Sequence, residues 1–260
     1  MNDKVKQFIE ENIKLIEMNN WEEVYQKAGN KFTDIEFGEF TKILLDADIH
    51  PEYRLSKLPS CFLCATDISK FEIPDSITSI GDGAFWNCDS LTSVTIGNGV
   101  SSVGERSFYN CYKLTSVYIT DIAAWCNIDF GNGYSNPLYY AKNIYLNGDL
   151  ITDLVIPNGV TAIKDYAFLK CSSLTSVTIP DSVTAIGEDA FYNCDSLTSV
   201  ILGNNVKSIG DHAFEECRDN LVINYRGSKE DWLKIYNTDA FIHTYFTVNC
   251  IDGKIIKRKR

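Results

Sequence analysis

Nine cysteines, three histidines and a scatter of paired carboxylates are the residues of this 260-residue chain that could do chemistry. Cys61-Phe62-Leu63-Cys64 sets two thiols at the spacing of half a zinc site or of a redox dithiol. A zinc site needs two further ligands close by, and none is evident; the strand–turn–helix setting of a redox dithiol is missing as well. His50, His212 and His243 are far apart in sequence. Carboxylate pairs such as Glu188-Asp189 fall in turns, where they simply meet water. No phosphate-binding glycine loop, serine elbow or H-E-x-x-H helix occurs. The sequence assigns no catalytic residue, no metal ligand and no cofactor, and it reads as a non-enzyme.

The elements that carry the other cysteines explain them. "NCDSLTSV" occurs at 87–94 and again at 193–200, inside five blocks that align without gaps at 23 residues: 68–90, 91–113, 151–173, 174–196 and 197–219. Each block opens on a strand signal with apolar residues alternating with Ser and Thr, as Val177 and Ile179 alternate with Ser176 and Thr178. A turn follows, then a second apolar set, in one block Val183, Ile186, Ala190, Phe191 and Cys194. Gly187 is read as allowing a tight corner. A single block cannot bury its own apolar edge, but stacked copies align equivalent side chains as ladders through a shared core. The expected ladders are Phe85, Phe108, Phe168, Phe191 and Phe214, and beside them Cys88, Cys111, Cys171, Cys194 and Cys217. Phe62 aligns with the phenylalanines. A thiol in such a row acts as a small buried hydrophobe, not as a ligand. His212 falls where other blocks hold Gly83, Tyr166 or Asp189, and is read as tolerated, solvated variation.

The string Leu-Thr-Ser-Val-Thr-Ile-Pro-Asp-Ser-Val-Thr-x-Ile-Gly-x-x-Ala-Phe-x-x-Cys at 174–194 resembles the BspA-like leucine-rich repeat family, over about 68–226. The resemblance implies a right-handed leucine-rich solenoid without intrinsic enzymatic activity. It also implies kinship with cell-surface proteins of bacteria and protists that bind host or microbial proteins, so a cell-surface location enters on this ground.

Composition bounds the rest. A formal net charge of −11 disfavours a nucleic-acid partner. Lys257-Arg258-Lys259-Arg260 is read as a solvated tail. The start is polar and acidic, and no apolar run approaches the ~20 residues of a membrane helix. On these grounds the expected location is cytoplasmic, with no membrane span.

The fold class is an α/β repeat solenoid of 23-residue coils with a helical N-terminal cap and a β-rich C-terminal cap. Residues 1–50 form the cap or a small separate bundle, with helices over "NDKVKQFIEENIKLIE", over "WEEVYQKAG" and over about 36–47. Residues 51–226 form the solenoid, with an irregular insertion at 121–150. Residues 227–260 form the second cap: a helix capped by Ser228, then a hairpin about Asp252-Gly253. Within the insertion, Asp121 caps a short helix through Trp125-Cys126, and Asn147-Gly148 turns a hairpin.

Aromatics concentrate in the insertion, and two readings stand: rings that seal a small local core, or interface anchors at Tyr134, Tyr139 and Tyr140. On the strand face most outward positions are small hydroxyls and Tyr118 alone stands out, with Asp153 and Val155 expected to flank it. Tyr118, Tyr134, Tyr139, Tyr140, Asp153 and Val155 are therefore the candidate partner-binding residues. The function expected is non-enzymatic binding of a protein partner through the solenoid surface. The alternatives are an assembly module that self-associates through its end caps, and an acidic decoy for a basic nucleic-acid-binding partner.

Overall fold

The computed structural model describes residues 3–17, 23–24, 27–28, 56–58, 60, 62–63, 68–236, 239–241 and 244–257. Helix α1 (Asp3–Glu17) buries Val5, Phe8 and Ile9 along one face, as its spacing dictates. The helix expected over "WEEVYQKAG" is described only at 23–24 and 27–28, both helical. The one expected at 36–47 lies outside the described residues, as do Cys61, Cys64, His50, His243 and 258–260.

From residue 70 the alternation of apolar and hydroxyl residues becomes strand after strand. β1 (Lys70–Ile73), β2 (Ser93–Ile96), β3 (Ser116–Ile119), β4 (Ile144–Leu146) and β5 (Asp149–Leu150) form one sheet in that order. A second sheet takes β6 (Asp153–Val155), β7 (Ser176–Ile179), β8 (Ser199–Leu202), β9 (Leu221–Tyr225), β10 (Phe246–Cys250) and β11 (Gly253–Lys257). Neighbours are parallel except β4–β5 and β10–β11, which are hairpins. Ser93 pairs with Lys70 and Ser199 with Ser176, an offset of one repeat. Two-residue strands form two further sheets: Lys57–Leu58, Ser79–Ile80, Ser102–Val103 and Asp129–Phe130, then Ala162–Ile163, Ala185–Ile186 and Ser208–Ile209.

The ladders hold. Phe85 stacks on Phe108 with ring centres 4.8 Å apart, and Phe168, Phe191 and Phe214 follow one another at 5.3 Å. The stack runs one rung further than the repeat alignment, to Phe241 at 5.3 Å from Phe214. The long-strand sheet likewise crosses residue 226 without interruption, because β10 pairs in parallel with β9. The turn at Asp252-Gly253 then folds β11 back along β10. Lys257 is not part of a solvated tail: its Nζ donates to the Phe241 carbonyl at 2.6 Å, and desolvation depresses its pKa.

The cysteines do more than fill volume. Four of the five ladder thiols donate to the carbonyl of a residue one coil back: Cys88 to Leu63 at 2.9 Å, Cys111 to Phe85 at 3.1 Å, Cys194 to Phe168 and Cys217 to Phe191 at 3.2 Å; Cys171, which follows the insertion, faces Ser173 Oγ at 3.5 Å instead. Where the chain departs from the repeat, Thr244 substitutes, donating to the Phe214 carbonyl at 2.7 Å. All five ladder cysteines are buried free thiols. Burial pushes Cys171 up to about 11 and Cys217 up to about 12.

The hydroxyls are also structural. Thr92, Thr175 and Thr198 donate to the carbonyls of Ser69, Thr152 and Thr175 in the preceding coils at 2.8–3.1 Å. Asp82 and Asp165 each accept the N–H of the residue 23 positions on, Glu105 and Glu188, at 2.8 Å. These side chains connect coil to coil where no strand does, which satisfies main-chain groups that would otherwise lie unpaired beside the core.

Two sequence readings are corrected here. Gly187 has an ordinary backbone; it is glycine because an added Cβ would lie 2.5 Å from the Asp165 amide nitrogen of the coil before. The residues at Gly83, Tyr166, Asp189 and His212 all have φ between +53° and +63°, so this column is a left-handed turn position. His212 is not merely solvated variation: its Nδ1 pairs with the Glu215 carboxylate. Partial burial opposes protonation there, yet the Glu215 contact raises the imidazole pKa overall.

Candidate interaction surface

The insertion forms because its local signals are strong. Asp121 Oδ1 accepts the Ala123 and Ala124 N–H groups at 2.7 and 3.2 Å, starting α2 (Ile122–Cys126). A 3-10 turn at Gly133–Ser135 and the short α3 (Leu138–Ala141) follow. Asn147, at φ +52°, and Gly148, at φ +93°, turn the β4–β5 hairpin. The insertion buries Trp125 and Leu138, and Trp125 Nε1 donates to the Ala167 carbonyl at 2.8 Å. Asn136 Nδ2 reaches the Tyr166 and Ala167 carbonyls at 2.7 and 3.1 Å, and Lys164 pairs with Asp129. The side away from the long strands is therefore stitched across the insertion.

The six candidate residues do not form one site; they fall into three groups. Tyr134, Tyr139 and Tyr140 are brought together: ring centres of Tyr134 and Tyr139 are 4.6 Å apart, and those of Tyr139 and Tyr140 5.0 Å. The preceding coil adds Tyr109, edge-on to Tyr134 at 5.0 Å, and Tyr112, edge-on to Tyr140 at 5.5 Å. Lys170 of the following coil places its Nζ 3.5 Å above the Tyr139 ring centre, a cation–π contact. Tyr140 Oη accepts the Asn110 N–H at 3.0 Å; burial nevertheless pushes its pKa up to about 12. Tyr112 is 69% exposed and Tyr134 37%. Tyr109, Tyr112 and Lys170 escaped the sequence reading because they belong to regular coils; the aromatic that follows three of the five ladder phenylalanines, Trp86, Tyr109 and Tyr192, was the available signal.

Tyr118 stands apart. Its neighbours in the sheet are Thr95 and Tyr145, and it stacks on Tyr145 at 4.8 Å. The expectation that Asp153 and Val155 flank it is overturned: the β4–β5 hairpin intervenes, and Asp153 opens the other sheet. Asp153 and Val155 form the third group, on the edge strand β6. The Asp153 carboxylate accepts Ser176 Oγ at 2.5 Å and, from farther, Thr152 and Thr175, which holds its pKa below the usual value.

A sequence profile described as "BspA type Leucine rich repeat region" matches residues 27–129 and 140–251 in six copies. The chain belongs to this BspA-type leucine-rich repeat family. The match extends beyond 68–226 at both ends and omits 130–139, the segment holding Tyr134 and Tyr139. No curated protein matches the sequence.

Solved structures with similarity include a leucine-rich repeat protein from Bacteroides ovatus, 22% identical over 68% of this chain and 50% of that one, TM-score 0.38. Another, from T. pallidum, is 25% identical over 61% of this chain and 59% of that one, TM-score 0.30. A leucine rich cell surface protein from Faecalibacterium prausnitzii is 19% identical over 70% of this chain and 86% of that one, TM-score 0.24. This chain spans 50–59% of the first two. The cytoplasmic expectation finds no support among these relatives; among the described residues no helix is long and apolar enough to cross a membrane.

Proposed function

We propose that this BspA-type solenoid binds a protein partner and that the tyrosine cluster of the insertion anchors it. The observation that carries this reading is the run of five rings, Tyr109, Tyr134, Tyr139, Tyr140 and Tyr112, in successive edge-on or tilted contact and topped by Lys170. Tyrosines held by one another offer large contact area with little side-chain entropy left to lose, which is why such residues dominate binding hot spots. Residues 1–50 and 227–260 serve as end caps in this reading. Its support is that Val5, Phe8 and Ile9 share one continuous core with Leu58, Phe62 and the coils. No chemical step is assigned to the chain.

Self-association through the end caps has less in its favour, since the last strand carries Lys254 and Lys257, charges that discourage edge pairing. The acidic-decoy alternative is weakened by the carboxylates of Asp75, Asp82, Asp165 and Asp181, which accept main-chain N–H groups of the next coil.

The test is capture from source-cell and host lysates by the intact chain, by Tyr134→Ala/Tyr139→Ala/Tyr140→Ala and by Tyr118→Ala, each checked for native circular dichroism. Loss of a hot-spot cluster costs at least about 2 kcal/mol, a drop in affinity of roughly thirtyfold. Tyr118→Ala leaves capture unchanged. Equal capture by the folded triple variant refutes the assignment, and self-association on sizing with no captured protein supports the assembly reading instead.

A further inference from the structure

The insertion is stitched on one side and open on the other. On the long-strand side, among the described residues, β5 pairs only with β4 and β6 only with β7, so a free edge of one sheet faces a free edge of the other. The chain passes between them at Ile151 and Thr152. Ile151 N–H donates to the Ile144 carbonyl on the β4 side, whereas the Thr152 carbonyl accepts from Thr175 on the β7 side. From that vertex β5 and β6 diverge and leave a groove of about 490 Å³.

Main-chain direction alternates along a strand. Ile156 N–H donates to Thr178, and Thr152 accepts from Thr175 and Ser176, so residues 152, 154 and 156 point their polar main-chain groups toward β7. Asp153 and Val155 consequently turn theirs the other way, into the groove. Their side chains share the outer face: Val155 is 63% exposed, and Asp153 is a carboxylate held in place by three hydroxyls. Asp149 contributes a second carboxylate, and among the described residues no Lys, Arg or His lines the groove.

We propose that the free edge of β6 takes up an extended peptide of a partner protein as an added strand. The peptide sets a basic side chain against Asp153 and, two residues away, an apolar one against Val155. Main-chain bonds to Asp153 and Val155 supply the attachment, and the acidic, apolar lining selects the sequence. The groove is separate from the tyrosine cluster, so its failure leaves the reading of that cluster standing.

The test uses the full chain, 15N-labelled, and the probe acetyl-Thr-Lys-Val-Val-Thr-amide together with its reversed-order partner, followed by amide chemical shifts. One of the two probes moves the Asp153 and Val155 amides in a saturable way. N-methylation at alternate residues of that probe, in its two phases, separates strand pairing from simple charge attraction. One phase weakens binding by about tenfold or more, the loss of bonds whose partners stay buried, and the other has a small effect. Asp153→Asn weakens the lysine probe but not its norleucine analogue. Equal binding by both methylated phases overturns the proposal, as does a shift pattern that spares Asp153 and Val155. Movement of those amides with protein concentration alone, before peptide is added, assigns the edge to a second copy of the chain and overturns the partner assignment.

Discussion

Replacing Gly187 with alanine separates two explanations of a repeated glycine. An added Cβ would sit 2.3 Å from Asp165 Oδ1, 2.5 Å from Asp165 N and 2.7 Å from Lys164 C. Main chain of the preceding coil cannot give way as a flexible side-chain tip could. The coils must part, and the parting stretches Gly187 N–H to the Ile163 carbonyl, at 2.8 Å, and Glu188 N–H to Asp165 Oδ1, also 2.8 Å. Overpacking costs about 1–3 kcal/mol and two weakened bonds, one of them to a carboxylate, about 1 kcal/mol each or more, for a total of about 3–5 kcal/mol. Gly148→Ala is the comparison: its Cβ meets nothing within 4 Å, but φ is +93°, so only dihedral strain of about 1 kcal/mol applies. Urea unfolding followed by circular dichroism measures both, and amide exchange at Glu188 localises the first. A Gly187→Ala protein within about 0.5 kcal/mol of the parent at unchanged m-value would refute the close-approach argument.

Two further outcomes follow from the thiol ladder. Cys194→Thr keeps a donor for the Phe168 carbonyl, as Thr244 does for the Phe214 carbonyl two rungs on, whereas Cys194→Val keeps the volume and loses the donor. Urea unfolding should place Val below Thr by about 1 kcal/mol; equal stabilities would return the ladder to packing alone. Buried thiols also make stability fall in alkali: their folded pKa values lie above the ordinary thiol value, at about 11 for Cys171 and about 12 for Cys126 and Cys217. The unfolded chain gives up these protons first, so the contribution is complete below about pH 8.5 and is lost as pH rises toward 11–12, by up to about 1.4 kcal/mol per pH unit for each thiol. Unfolding midpoints from pH 8 to 11 measure it; a flat profile, or a Cys171→Ala slope identical to the parent's, contradicts the linkage.

The sequence by itself determined the strands, caps and hairpins, whose causes lie within a few residues of one another. Apolar alternation set the strands, Asp121 and Ser228 capped their helices, and Asn147-Gly148 and Asp252-Gly253 turned their hairpins. The recurrence of Phe and Cys at fixed spacing implied stacked rungs, because equal spacing leaves stacking as the way to bury every copy. What only the tertiary structure decided is which groups meet across coils. The thiol's acceptor stands about one coil back in the chain, and the atoms that exclude a side chain at Gly187 belong to the preceding coil. Tyr118 and Tyr139 are close in sequence, yet one stacks on the sheet with Tyr145 while the other lies under Lys170. Likewise, the seam between β5 and β6 arises because a hairpin ends one sheet while the opposite side is bonded across the insertion. Local propensities are short-ranged and legible in residue types, whereas the partner of a side chain on a stacked coil depends on the length and path of every segment between.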